Sequence, residues 1–183
     1  MGTDSRIFLV GAMGAGKSAV GRALARLLNY DFADSDHDIE THAGVDVSFI
    51  FEKEGESGFR EREQRALAGL SERADLVIAT GGGCVVTRAN RTLMRDTGTV
   101  VYLAASIEQL YERVRCSNHR PLINTDNPRE ELAKIVRARL PLYEELADLT
   151  IDTEGRRVRA VALDIQRQLH RRQEQEHPRI GHS

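Results

Sequence analysis

At 183 residues the chain is long enough to bury one real core and too short for two ordinary domains. With 40% hydrophobic and 30% charged residues and a formal net charge of −2, its balance gives no reason to expect nucleic acid or a membrane as partner. No apolar stretch approaches the ~20 residues of a membrane span, and the opening MGTDSR has no hydrophobic segment behind it, so a cytoplasmic protein is expected.

The first element is the apolar run at 7–10, which reads as a strand buried on both faces of a sheet. It leads into GAMGAGKS, residues 11–18, which satisfies G-x-x-x-x-G-K-[ST] between a buried strand and a helix. Its glycines let successive backbone N–H groups turn inward. The helix that follows, at 17–28 with Val20, Leu24, Leu27 and Leu28 on one face, adds its positive N-terminal end. Lys17 is placed to neutralise the β- and γ-phosphates of a nucleotide and Ser18 to bind Mg²⁺, with Gly14, Ala15, Gly16 and Ala19 completing a candidate ATP site. Nucleotide binding alone leaves the use of the nucleotide open. There is no Asn-Lys-x-Asp to read guanine, and a DxxG at 152–155 follows the last strand, the wrong place for a GTPase switch. The chain length suits a small-molecule kinase better than a motor or transport ATPase.

A weaker apolar run at 32–33 marks a second strand that ends in Asp34-Ser35-Asp36. On extended chain, carboxylates at i and i+2 point the same way. One could support Mg²⁺ while the other orients an attacking hydroxyl and takes its proton; alternatively, Ser35 or Asp36 simply caps a helix at 38–42. In the helical pattern at 56–70, Glu56, Arg60 and Glu63 fall at i, i+4 and i+7. That face is either solvated, held by ion pairs worth about 0.3 kcal/mol each, or turned into a cleft where Arg60, braced by Glu63, grips a substrate carboxylate through two hydrogen bonds. The next strand, at 76–79, runs into Thr80-Gly81-Gly82-Gly83. Three successive glycines are costly in chain entropy and stand where ligands bind beyond the strand ends, so their bare backbone is expected against a substrate. No aspartate ends this strand, which moves the metal-binding duty toward Asp34.

Strands at 100–103 and 149–151 and helices at 107–114, 129–140 and 158–169 complete an alternating order, which calls for a parallel sheet covered on both faces. Residues 116–128, CSNHRPLINTDNP, are polar, hold two prolines and are long for a connection, the mark of a functional lid. Residues 170–183 lack apolar periodicity and read as a frayed tail. Cys84 and Cys116 lie far apart without metal-ligand spacing and are expected to be reduced thiols. Only Lys17, Lys53 and Lys134 are lysines among 26 Lys+Arg, so any single arginine needs positional support before it counts toward a site.

The ordered set GAMGAGKS, DSD at 34–36, GFRERE at 58–63, GGG at 81–83, RPL at 120–122 and RLPLY at 139–143 resembles the shikimate kinase family, from residue 7 to about residue 169. The resemblance implies one kinase domain over 1–183 with an α/β fold of the three-layer P-loop kinase type, a central five-stranded parallel sheet and a short mobile lid. It implies transfer of the γ-phosphate of ATP, with Mg²⁺, to the 3-hydroxyl of shikimate. Carried over position by position, it has Asp34 support Mg²⁺ with Ser18 while Asp36 binds the hydroxyl as the base. Arg60 and Arg139 would clamp the shikimate carboxylate, Gly81, Gly82 and Gly83 contact the substrate, and Phe51 and Phe59 wall its ring. Lid Arg120 would close over the phosphates, Arg113 would face adenine, and Arg157, or Arg156 beside it, would complete the adenine pocket. A monomer is expected, because no apolar helix face is left over. A gluconate or nucleoside monophosphate kinase shares the loop and the sheet but not DSD with a downstream GGG. A non-catalytic nucleotide-binding module would have no need of Lys17, Ser18, Asp34, Asp36 and Arg120 together.

Overall fold

The computed structural model describes residues 5–115 and 126–176. The strands β1 (Arg6–Val10), β2 (Asp31–Asp34), β3 (Leu76–Ala79), β4 (Thr99–Ala104) and β5 (Leu149–Asp152) form one parallel sheet in the order β2-β3-β1-β4-β5. Every residue of β3 is buried, as an interior strand with helices on both faces requires. The register aligns the strand ends. Ala79 pairs with Leu9 on one side and with Asp34 on the other, and Val10 pairs with Tyr102. The loops after β1, β2 and β3 therefore leave the sheet side by side, where parallel sheets bind their ligands.

One face of the sheet is covered by α1 (Lys17–Leu28), α5 (Ile107–Val114) and α7 (Val158–Glu176), which bury Val20, Leu24, Leu110, Ile165 and their neighbours. The other is covered by the end of α3 (Val47–Leu70), by α4 (Arg88–Thr97) and by the second half of α6 (Pro128–Leu146), through Leu67, Met94, Tyr143 and Leu146. A small third cluster of Ile39, Ile50 and Phe59 joins α2 (Ser35–Ala43) to α3.

Four elements depart from the sequence pattern. α3 starts at Val47, nine residues before the expected start at 56: Asp46 accepts a hydrogen bond from the Phe49 N–H at 2.7 Å as its cap, and Gly55, at φ 70° and ψ −174°, kinks it. α6 runs through Pro141 to Leu146 rather than stopping at 140, because burial of Tyr143 and Leu146 outweighs the roughly 3 kcal/mol that an interior proline costs. α7 continues to Glu176, so residues 170–176 are helix and not tail; Arg172 pairs with Asp148 at 2.9 Å, and each added residue gains one backbone bond. Residues 84–97, to which the sequence pattern assigns no element, form a 3₁₀ turn (Cys84–Val86) and then α4, whose buried positions are Asn90 and Met94. The lid segment at 116–128 lies outside the described residues up to 125, and its last residue, Pro128, opens α6. Among the described residues no helix is long and apolar enough to cross a membrane.

Candidate active site

The phosphate loop joins β1 to α1. Gly14 and Gly16 take φ values of 83° and 90°, the left-handed region that favours glycine, and Gly16 caps α1 without a side-chain bond to its first N–H groups. Those N–H groups and the positive helix end make the mouth of the loop a site for anions. Lys17 lies across the loop, its Nζ donating to the carbonyls of Gly11 at 2.7 Å and Ala12 at 2.9 Å. Ala15 is buried and closes the turn by donating its N–H to the Ala12 carbonyl at 3.1 Å, while Ala19 is exposed in the first turn of α1.

From the start of α1, the Ser18 hydroxyl donates to Asp34 Oδ2. The other oxygen, Oδ1, accepts from the backbone N–H groups of Asp36 at 3.1 Å and His37 at 3.4 Å. Asp34 is thus both the last residue of β2 and the cap of α2. This corrects two expectations: the cap is not Ser35 or Asp36, and Asp36 sits on the first turn of a helix that begins at Ser35, not on extended chain. The two carboxylates meet because the chain turns into a helix between them, its orphan N–H groups drawing in Asp34.

Asp36 faces the glycine loop. A Cβ at Gly81 would lie 2.7 Å from Asp36 Oδ1 and 3.2 Å from Glu63 Oε1, and one at Gly83 would lie 2.4 Å from Arg60 Nη2. Any side chain at either position would displace a charged group, so the backbone is bare here for the sake of its neighbours. Arg60 Nη1 donates to Glu63 Oε2 at 2.9 Å and Nη2 to Glu56 Oε1 at 3.2 Å. The face read as ambiguous is therefore split: the Glu63 side chain is 0% exposed and that of Glu56 67%. Burial works against the charge of Arg60, but Glu63 and then Glu56 outweigh it and hold the guanidinium above its ordinary value. Burial pushes the Glu63 carboxyl up and Arg60 pulls it down; Asp36 then raises it and Arg139 lowers it, with a net rise. These four groups share one electrostatic environment. Arg60 Nε and Glu63 Oε1 are buried with no hydrogen-bond partner among the described residues.

Arg139 is half-buried on α6, with Tyr143 one turn later. Phe51 and Phe59 stack at 4.5 Å and 28°, on either side of the Gly55 kink, and the Arg60 guanidinium carbon lies 5.4 Å from the Phe59 ring centre. At the phosphate loop, Arg113 donates to the Gly14 carbonyl at 3.0 Å. Arg157 is exposed before α7, whereas Arg156 is tied to the Asp152 carbonyl and Asp164, each at 3.0 Å. Arg120 lies outside the described residues.

Sequence reasoning missed three supports. Ser35 accepts the Gly81 N–H at 3.1 Å, and Tyr143 donates to the Gly82 carbonyl. Gln109 joins α5 to the turn after β5, donating to the Thr153 carbonyl at 3.3 Å and accepting from the Gly155 N–H at 2.9 Å. Tyr143 ends the RLPLY run at 139–143, but no local pattern marks Gln109.

The family model described as shikimate kinase matches residues 13–170. A shikimate kinase from Actinobacillus pleuropneumoniae serotype 5b is 44% identical over 165 residues, 90% of this chain and 95% of that one. The solved structure of shikimate kinase from Acinetobacter baumannii in complex with shikimate superposes with a TM-score of 0.90 at 44% identity, covering 93% of this chain and 95% of the other. A gluconokinase from Sinorhizobium meliloti 1021 superposes at a TM-score of 0.59 with 17% identity over 99% of this chain and 100% of that one, a likeness of fold alone.

Proposed function

The chain belongs to the shikimate kinase family, and on that premise we propose how its cleft performs the reaction. It is an ATP-dependent kinase that transfers the γ-phosphoryl group to the 3-hydroxyl of shikimate, giving shikimate 3-phosphate and ADP in the route to chorismate and the aromatic amino acids. The observation that carries this reading is the hydrogen-bonded run from Ser18 to Asp34 and, one residue on, from Ser35 to Gly81. It ties the phosphate loop to the glycine loop at a fixed separation, with the Asp36 carboxylate against Gly81, and in-line transfer between two bound substrates needs such a fixed separation.

At the nucleotide end, Gly14, Gly16 and the first turn of α1 present N–H groups to the phosphates, and Lys17 supplies a charge already held at the loop mouth. Mg²⁺ bound with ATP supplies charge neutralisation at the β- and γ-phosphates. Ser18 and Asp34 would hold it: one hydroxyl and one carboxylate suit an ion that keeps water and phosphate oxygens as its other ligands. Arg113 and Arg157 serve the base side. At the acceptor end, Asp36 orients the 3-hydroxyl and takes its proton as the bond to phosphorus forms. Arg60 offers Nε together with Nη2, the latter now shared with the exposed Glu56, as a two-pronged donor to the shikimate carboxylate, and Arg139 supplies the second cation. The stacked Phe51 and Phe59 wall the ring. The protein works as a cytoplasmic monomer in this reading.

A thermal-shift titration tests the acceptor. Shikimate should raise the melting temperature, whereas gluconate and nucleoside monophosphates should not. A rise with gluconate and none with shikimate would reverse the assignment.

A further inference from the structure

The glycine loop is held by two buried hydroxyl groups. Ser35, fully buried, accepts from the Gly81 N–H at 3.1 Å; Tyr143, 1% exposed, donates to the Gly82 carbonyl. The Gly81 carbonyl accepts from the Cys84 N–H at 3.0 Å and the Gly83 carbonyl from the Val86 N–H at 3.0 Å. All three glycine carbonyls and one of the three N–H groups are thus committed within the protein. Among the described residues, no acceptor meets the N–H groups of the half-buried Gly82 and Gly83.

The bond from Tyr143 also sets a direction. In a planar trans peptide the C=O and the following N–H point opposite ways, so a Gly82 carbonyl held against Tyr143 turns the Gly83 N–H to the far side. The Tyr143 ring is packed in the core, stacked on Tyr102 at 5.1 Å and 11°, so the Gly83 N–H turns away from that ring, and the Arg60 guanidinium abuts the same glycine, its Nη2 lying 2.4 Å from where a Cβ would stand. A peptide between two glycines has no side chain to bias its orientation and would otherwise turn easily. We propose that Tyr143 is a positioning residue for the acceptor substrate: its hydroxyl orients the Gly82–Gly83 peptide so that the Gly83 N–H donates to an oxygen of the molecule held by Arg60. This rests on shikimate being that molecule. Burial pushes the Tyr143 phenol up to about 12, so it stays a protonated donor near neutral pH. The charge of Arg139, one turn earlier on α6, reaches the same hydroxyl, so one helix carries both the loop anchor and a carboxylate clamp.

Tyr143→Phe removes the hydroxyl and keeps the ring. The KM for shikimate should rise about three- to tenfold, the effect of one lost hydrogen bond, while the KM for ATP stays within about twofold. An unchanged shikimate KM overturns the proposal, and so does an equal rise in both constants, which would mean general loosening. If the variant does not fold, the wild-type protein labelled with ¹⁵N-glycine decides: the Gly83 amide resonance should move on addition of shikimate, and a stationary resonance overturns the proposal. Wild-type protein whose ADP release ignores shikimate would instead remove the acceptor assignment itself, and the positioning role would fall with it.

Discussion

Asp34 carries two duties that a single substitution can separate. Its Oδ1 caps α2 and its Oδ2 meets Ser18. Asparagine caps a helix nearly as well as aspartate but carries no charge, whereas alanine does neither, at a cost of about 1 kcal/mol. Asp34→Asn should therefore raise the Mg²⁺ concentration needed for half-maximal rate and leave the melting temperature close to wild type. Asp34→Ala should do both kinds of damage. Equal Mg²⁺ requirements in wild type and Asp34→Asn would take Asp34 out of the metal site and leave it as a cap. At the same scale, Arg60 shows what a sequence leaves open. The i, i+4, i+7 spacing suits a solvated face and a cleft equally, and only the burial of Glu63 and the close approach of Gly83 turn Arg60 inward.

At the scale of elements, the parts legible in the sequence are those whose signal is local. The phosphate loop is contiguous, and the interior strands are continuous apolar runs, so both were readable from a few neighbouring residues. The local pattern ends α6 at Leu140, before Pro141, and α7 at Leu169, while the tertiary contacts carry both helices further. The supports of the cleft are non-local: Tyr143 reaches Gly82 across 61 residues, Gly81 reaches Ser35 across 46, and Gln109 reaches Thr153 across 44. No periodicity joins such pairs. The kink of α3 is also hidden, since the sequence pattern starts the helix only after Gly55, whose φ of 70° and ψ of −174° the local sequence does not show. That region is essentially closed to other residues, and a Cβ there would meet nothing within 4 Å, so the penalty is one of backbone conformation alone. Gly55→Ala should cost about 1 to 3 kcal/mol in urea unfolding. A cost near zero would mean that α3 can straighten, with Phe51 and Phe59 losing their stack.

For the whole molecule, buried thiol and phenol groups tie stability to alkaline pH, and among the described residues burial raises Tyr102 as well as Cys84 and Tyr143. Burial pushes the Cys84 thiol well above 9.0 and the Tyr143 phenol from 10.0 up to about 12. Each binds its proton more tightly in the folded chain than in the unfolded one. Their contribution is complete below about pH 9 and is lost as the pH rises, because the unfolded state ionises first. The Tyr143 shift alone corresponds to roughly 2 to 3 kcal/mol. The melting temperature should therefore fall from about pH 9 upward, and less steeply in Tyr143→Phe; identical slopes in the two proteins would mean that Tyr143 ionises freely when folded. The proposed two-sided cleft rests on the hydrogen bonds from Ser18 to Asp34 and from Gly81 to Ser35, which join the phosphate loop to the glycine loop at the carboxyl ends of the strands. The most direct test of that two-sided cleft is ADP release from Mg-ATP by the purified protein, followed with and without shikimate. Slow release is expected without shikimate, and a rise of orders of magnitude when it is added. Release at the same rate in both would contradict the two-sided cleft, leaving a nucleotide site with no acceptor beside it.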